Sequence, residues 1–302
     1  MIGTHVFADL GHDVVVGRGS GNVSALAFDL SVHAGLLSVA SGGWLDYGLG
    51  SLLSTKIQLC GPYVVELEGR RIEQALPGRQ GRLLFAYLVL NRERPIGRGE
   101  LVDAIWSQEP PRDPADALAA LLSKVRTAMS NRWLEGRSQV TLILPPQADV
   151  DVERALTTVH QAESACTLAD WPRAWGASLA AQNVAKRTLL GEYEDAWIET
   201  WRRKLDEVLV RALECYARAC LGLGGTELAG AERAARHLVR SAPLHESGYG
   251  LLMAALEAQG NVAEALVVYE ALRQRLRSEL GVSPAEPLQS AHRRLLSASS
   301  GA

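Results

Sequence analysis

The apolar positions of residues 114–129 recur every three or four residues. At about 100° per residue they form one stripe, which predicts an amphipathic helix packed on a core. The stripe consists of Leu118, Leu121, Leu122, Val125 and Met129. Asp113 is suited to cap the first free amides and Pro114 to occupy the first helical position, and the helix is expected to end near Ser130 and Asn131.

The opposite face of this helix carries small and hydroxylated side chains beside two cations. Such a face suits a helix whose backbone approaches base edges while long cations reach phosphates, so it predicts contact with double-stranded DNA. Ser123 and Thr127 are the candidates for base edges. The candidates for phosphate contact are Lys124, Arg126, Arg98 and Arg132. An ordinary amphipathic surface helix is the alternative interpretation.

The segments around this helix give an ordered series of short elements. Alternating and β-branched residues over 56–72 predict short antiparallel strands, and residues 79–90 predict a helix ahead of Pro95. A further helix follows Gly97, and the apolar run at 138–144 predicts the last strand of a hairpin. Sheet, three helices and hairpin is the order of a winged helix-turn-helix.

Beyond residue 149 the pattern is helical almost throughout. Helices are predicted at 152–167, 171–190, 195–223, 227–241, 245–259, 262–280 and 285–297, with Gly and Pro at their ends. Gly225 and Gly260 lie 35 residues apart and each opens an Ala-rich helix, close to the tetratricopeptide period of about 34 residues. Trp197 and Trp201 share one helical face and are predicted to anchor the core. A helical bundle without a repeat is the alternative.

The predicted fold class is mixed and mainly α: a winged helix-turn-helix (α+β) followed by an all-α tetratricopeptide-like helical repeat domain. The domains are placed at residues 56–147 and 148–297. Residues 1–55 hold ten of the 28 glycines and no Lys, and are predicted to be a disordered extension. Their apolar run is interrupted by Asp29 and His33, so neither a membrane span nor a secretory signal is expected.

Charge is distributed unevenly along the chain. The net charge is −3, but residues 56–137 carry thirteen Lys or Arg against ten acidic residues. The segment with the predicted DNA-contacting helix is therefore the positive one, which favours nucleic acid as a partner.

Catalytic and metal chemistry is not indicated. The four cysteines form no C-x-x-C pair and have no suitably spaced His, which favours reduced thiols in a cytoplasmic protein and predicts no metal. The zinc-protease, serine-hydrolase and P-loop motifs are absent, so neither an enzyme nor a cofactor is expected.

Several phrases resemble the Streptomyces antibiotic regulatory protein family, over about residues 56–296. In the first domain they are 56–62 (KIQLCGP), 97–106 (GRGELVDAIW) and 122–126 (LSKVR). In the second they are 194–205 (EDAWIETWRRKL), 260–265 (GNVAEA), 269–273 (YEALR) and 276–284 (LRSELGVSP). The resemblance implies an OmpR-type winged helix followed by a bacterial transcriptional activator domain.

That resemblance further implies a transcriptional activator that binds repeats upstream of a promoter and recruits RNA polymerase. A homodimer is possible, and the family's loop between the second and third helices faces the polymerase. Here that loop spans 107–113, and the expected polymerase contacts are Glu109 and Arg112. The competing hypothesis is a protein-interaction adaptor whose winged helix does not bind DNA, suggested by the small charge excess and only two cations on the third helix.

Overall fold

The computed structural model describes residues 54–107 and 109–300. The extension predicted for residues 1–55 thus lies outside the described residues, except for Ser54 and Thr55. Those two already belong to the fold. Thr55 is buried, and its carbonyl oxygen accepts a hydrogen bond from the amide of Asp149 at 2.8 Å.

The first part of the fold is the sheet, three helices and hairpin that the sequence predicts. Its strands are β1 (Lys56–Gln58), β2 (Val64–Leu67), β3 (Arg70–Arg71), β4 (Ile96–Gly97), β5 (Leu134–Glu135) and β6 (Gln139–Leu142). Its helices are α1 (Gly78–Leu90), α2 (Arg98–Ile105) and α3 (Pro114–Ala128). β1, β2 and β3 pair antiparallel in sequence, while β6 lies between β4 and β5 and pairs antiparallel with both.

The second part is helical. Its helices are α4 (Asp151–Thr167), α5 (Trp171–Ala185), α6 (Ala196–Leu223), α7 (Leu228–Ser241), α8 (Glu246–Ala258), α9 (Val262–Leu280) and α10 (Glu286–Ser300). Consecutive helices pack on each other from α4 to α10. Gly225 and Gly260 both adopt positive φ, at 55° and 81°, in the turns that lead into α7 and α9, which agrees with the predicted helical repeat. The mixed, mainly α fold class is therefore confirmed.

The two parts share one sheet and one core. A short strand, β7 (Asp149–Val150), pairs parallel with β1 and leads directly into α4. The largest cluster of buried side chains runs from Ile57 in β1 to Ala212 in α6. A second cluster, from Ala235 to Leu295, joins α7 to α10. The division between residues 147 and 148 remains a prediction, and a short turn with Pro146 and Gln147 exposed connects β6 to β7 there.

One helix ends earlier than predicted. The sequence pattern extends from residue 171 to 190, but α5 ends at Ala185 and Leu189 forms a β-bridge with Cys60. Leu189 and Leu190 continue the apolar spacing of the helix in the sequence. Both are buried in the structure, but they lie in the loop that follows α5. Arg202 holds this loop by donating to the carbonyl oxygens of Leu189, Leu190 and Tyr193 at 2.8–3.0 Å.

Candidate nucleic-acid interface

Helix α3 begins as its sequence predicts. The Asp113 carboxylate accepts a hydrogen bond from the amide of Asp116 at 3.1 Å, and Pro114 is the first helical residue. An N-terminal cap of this kind satisfies an amide that has no partner within the helix. The predicted apolar stripe is buried, with all five members at most 8% exposed. The opposite face is therefore fixed toward solvent.

The exposed face of α3 carries small and polar side chains. Ser123, Lys124 and Thr127 are all exposed, and Ala119 and Ala120 precede them with side chains of a single methyl group. The Thr127 hydroxyl donates to the carbonyl oxygen of Ser123 at 3.1 Å, so its oxygen remains able to accept from a base. Small residues let the helix backbone come close to a base edge, as a helix in the major groove must.

The residues predicted to contact phosphates differ in the hydrogen bonds that they make within the chain. Lys124 makes no hydrogen bond or ion pair with any described residue. Arg126 donates to the carbonyl oxygen of Gly136 at 2.8 Å, and Arg98 donates to those of Arg137 and Ala115 at 3.3 and 3.4 Å. These two arginines thus tie α2 and α3 to the hairpin turn. A guanidinium has five N–H donors, so both retain donors for a phosphate.

Arg132 lies in a different environment. Its guanidinium forms an ion pair with Glu68 at 3.0 Å and lies 5.4 Å from the ring centroid of Trp133. A phosphate contact by Arg132 would compete with this pair. Its assignment as a DNA contact stays a prediction, as do those of the other five residues.

The hairpin turn supplies an additional cation. Residues 136–138 connect β5 to β6, and Arg137 is exposed at the turn. Gly136 has φ +87°, and a Cβ atom at this position would lie 1.9 Å from the carbonyl oxygen of Gln139, so only glycine fits. The sequence interpretation began the strand at Ser138 and so missed Arg137. The Gly136-Arg137 pair was the available signal, because glycine marks a hairpin turn.

A second cation that sequence reasoning missed lies at the other end of α3. Arg70 donates from Nη2 to the carbonyl oxygen of Ala128 at 3.1 Å and to the Ser130 hydroxyl at 2.8 Å. A cation here satisfies a free carbonyl at the helix end and interacts favourably with the helix dipole. Arg70 also lines an open groove with Ser123, Lys124 and Thr127. Nothing in the local sequence links residue 70 to residue 128, since the contact depends on tertiary packing.

The predicted polymerase-contacting residues lie in the connection between α2 and α3. Glu109 and Arg112 are both exposed, and Pro110 and Pro111 lie between them. The preceding Ser107 donates from its hydroxyl to the Asp195 carboxylate at 3.2 Å, which joins this loop to the start of α6. Exposure of this kind is what a protein contact requires.

Metal binding, thiol reactivity and membrane insertion concern other parts of the described chain. There, no three His, Cys, Asp or Glu side chains are grouped so that they could hold a metal ion. Burial raises the pKa of Cys60 far above its usual range and that of Cys215 to about 12, which disfavours the nucleophilic thiolate. None of the helices in the described residues combines the length and apolarity needed to cross a membrane.

The comparisons with known proteins identify the helical part. Residues 150–296 match the family model of the bacterial transcriptional activator domain. Regulatory protein AfsR of Streptomyces coelicolor is 31% identical over 239 residues, which is 79% of this chain and 24% of AfsR. Transcriptional regulator RedD of the same species is 28% identical over 237 residues, covering 71% of this chain and 63% of RedD.

A solved structure has the same fold. Mycobacterium tuberculosis EmbR, in complex with a low-affinity phosphopeptide, superposes with a TM-score of 0.69 at 21% identity. The match covers 81% of this chain and 65% of that one. This chain thus spans about a quarter of the length of AfsR and nearly two thirds of RedD and EmbR.

The sequence matches are longer than the activator domain alone. That domain occupies residues 150–296, so the aligned 239 residues of AfsR and 237 residues of RedD must include much of the winged helix. Over its winged helix and its activator domain together the chain is therefore similar to these Streptomyces regulators, and its residues 150–296 belong to the bacterial transcriptional activator domain family.

Proposed function

We propose that this protein is a DNA-binding transcriptional regulator, an activator that binds repeats upstream of a promoter and recruits RNA polymerase. The observation that carries the proposal is the exposed face of α3, where Ser123, Lys124 and Thr127 stand beside the hairpin turn with Arg137. A helix for the major groove and a hairpin beside it are the two contact elements of a winged helix. The naming of AfsR and RedD as regulators supports the same function.

The arrangement of cations supports binding that is electrostatic first. Lys124 and Arg137 are exposed, and Arg98 and Arg126 hold α2, α3 and the hairpin turn together while keeping further donors. Such groups set the register of a protein on the duplex, whereas Ser123 and Thr127 are placed to read bases. The proposal requires no cofactor.

Recruitment of polymerase is the finer part of the proposal. It rests on the exposed loop with Glu109 and Arg112, which is attached through Ser107 to the helical domain. A preorganised, charged loop suits a polar and transient protein contact. On this proposal the protein acts in the cytoplasm, and a homodimer on a repeated site remains a prediction.

The test is DNA affinity measured over a series of salt concentrations. Lys124→Ala is expected to weaken binding to all duplexes and to lower the slope of log K against log salt by about 0.9, the value for one lost phosphate contact. Lys186→Ala is the matched control, because Lys186 is an exposed lysine that follows α5 in the helical domain. Equal affinities and slopes for the parent and both variants would reject α3 as the DNA-contacting element.

The alternative is an adaptor whose winged helix does not bind DNA. One observation favours it: Arg98, Arg126 and Arg132 all bond within the chain already. The DNA affinity of the parent protein in the same assay distinguishes the regulator from the adaptor. Binding that is weak and equal for every duplex at low salt, and absent at physiological salt, would support the adaptor.

A further inference from the structure

The start of α6 contacts the end of α2 across the boundary between the two domains. The indole Nε1 of Trp197 donates a hydrogen bond to the carbonyl oxygen of Ala104 at 3.1 Å. Ala104 lies in the last turn of α2, where carbonyl groups have no partner within the helix. The helical domain therefore donates a hydrogen bond to a carbonyl oxygen that has no donor within α2.

The ring of Trp197 is itself held from the winged-helix side. Tyr87 of α1 packs edge-on against it, with centroids 5.0 Å apart and an interplanar angle of 85°. The Tyr87 hydroxyl donates to Glu100 in α2 at 2.6 Å, and Glu100 forms an ion pair with Arg94. The indole is thus fixed in orientation by α1, which is in turn bonded to α2.

Asp195 provides a second link to the same place. It is the N-cap residue of α6, yet its side chain makes no capping hydrogen bond. Its Oδ1 instead accepts from the Ser107 hydroxyl at 3.2 Å. An N-cap aspartate usually accepts from an amide of its own helix, so here the carboxylate is used to hold the first residue of the exposed loop.

The two contacts fall on either side of Trp106. They fix the chain at Ala104 and Ser107, immediately ahead of the exposed residues Glu109 and Arg112. Trp197 is the second residue of α6 and Asp195 is its N-cap residue. Because both contacts are made from this end of α6, a displacement of the helix would move the loop with it.

We infer that Trp197 and Asp195 are positioning residues through which the helical domain sets the presentation of the loop between α2 and α3. The inference rests on the proposed function for its consequence, since the loop is there assigned to a polymerase contact. DNA recognition by α3 is not the step that these residues control. Their loss should lower output while DNA affinity is retained.

The first arm of the test uses amide hydrogen exchange on the full chain without DNA. Trp197→Phe keeps an aromatic ring but removes the Nε1 donor. Amide exchange in residues 104–107, around Trp106, is expected to become about threefold to tenfold faster, which corresponds to the loss of one hydrogen bond. Trp201→Phe is the matched control. It makes the same change one turn further along α6, where the ring instead lies under Lys204.

A second pair of variants tests the Asp195 contact and covers a Trp197 variant that does not fold. Ser107 is exposed, so Ser107→Ala should leave the fold intact and speed exchange of the same segment. Ser107→Thr keeps the hydroxyl and should restore the exchange rate of the parent. Unchanged exchange in both Trp197→Phe and Ser107→Ala, or equal acceleration in Trp201→Phe, would overturn the inference.

The second arm measures DNA affinity and in vitro transcription with the same proteins. Trp197→Phe and Ser107→Ala are expected to bind DNA within about twofold of the parent and to transcribe less. Loss of affinity in parallel with transcription, or faster exchange with unchanged transcription, would overturn the positioning role. If the parent itself neither binds nor activates, the proposed function fails, while the exchange arm still tests the two contacts.

Discussion

At the scale of single residues, the hairpin turn depends on one glycine. Gly136 has φ +87° and its Cβ position is occupied by the carbonyl oxygen of Gln139. An alanine must therefore displace the backbone of β6, which carries the turn with Arg137. The turn is also where Arg98 and Arg126 find their acceptors.

Gly136→Ala is expected to destabilise the protein by about 1–3 kcal/mol, the range for a strained backbone, and to weaken DNA binding because the turn shifts. Urea unfolding and a DNA-binding titration measure the two effects. Gly99→Ala is the control, since a Cβ there meets nothing within 4 Å and the residue is helical. Equal stability of the two variants would contradict the geometry of the turn.

Buried thiols give a prediction for alkaline pH. Burial raises the pKa of Cys215 from the ordinary value of 9.0 to about 12, with its neighbour Cys166 acting in the same direction. The folded state therefore keeps the proton that the unfolded chain loses near pH 9. This contribution to stability is complete below pH 9 and is lost as pH rises toward the folded pKa.

The free energy of unfolding should therefore decrease from about pH 9 to pH 11, and Cys215→Ala should make the decrease shallower. Urea titrations of the parent and the variant at several pH values measure the two slopes. The variant loses some stability at every pH through the missing sulfur, so only the slopes are compared. Identical slopes would show that the thiol ionises as freely in the folded protein as in the unfolded chain.

At the scale of elements, one carboxylate joins the first sheet to the first helix of the activator domain. Asp151 is 2% exposed and accepts hydrogen bonds from the amides of Leu59, Cys60 and Val152 at 2.8–3.1 Å. Burial raises its pKa, while these amide hydrogen bonds act in the opposite direction. The edge of β1 is thereby satisfied by the start of α4.

Asp151→Ala should cost about 3 kcal/mol or more, because it leaves buried amides without an acceptor. Asp149→Ala is the control two residues away. Its side chain is 40% exposed and pairs with Arg154, so its loss should cost less than about 1 kcal/mol. Urea unfolding compares the two, and a mild effect of Asp151→Ala would mean that water replaces the carboxylate.

The loop between α2 and α3 carries a separate prediction. Glu109→Ala and Arg112→Ala remove exposed charges that bond to no described residue, so folding and DNA affinity should remain near those of the parent. Transcription from a target promoter should decrease. A gel-shift assay and an in vitro transcription assay on one promoter measure both, and a parallel loss in the two assays would assign Arg112 to a phosphate instead.

The elements themselves were largely predictable from the sequence. Helix α3 follows from its apolar stripe, its Asp113 cap and Pro114, all of which are local signals. The end of α5 was not, because Leu189 and Leu190 keep the helical spacing while they pack against β1. The Trp197 and Trp201 side chains are half-buried rather than core anchors, since that helical face meets the winged helix and solvent.

At the scale of the whole molecule, the winged helix and the first helices of the activator domain form one packed unit. The strand β7 and the core from Ile57 to Ala212 leave no independent boundary between them. The sequence could not predict this packing, because neither segment contains a local pattern that indicates the pairing of residue 149 with residue 56. For the same reason the sequence predicted the exposed face of α3 but not the role of Arg70, because the contact of Arg70 with Ala128 is made only in the folded chain.

The central claim is that the exposed face of α3 and the hairpin turn direct this protein to particular DNA sites. Genome-wide DNA occupancy of the tagged protein in its own cells tests it most directly. We predict discrete occupied sites upstream of promoters that share a repeated sequence, lost in a Lys124→Ala, Arg137→Ala double variant and kept in Lys186→Ala. Occupancy without discrete sites, or the same sites in the double variant, would contradict the account.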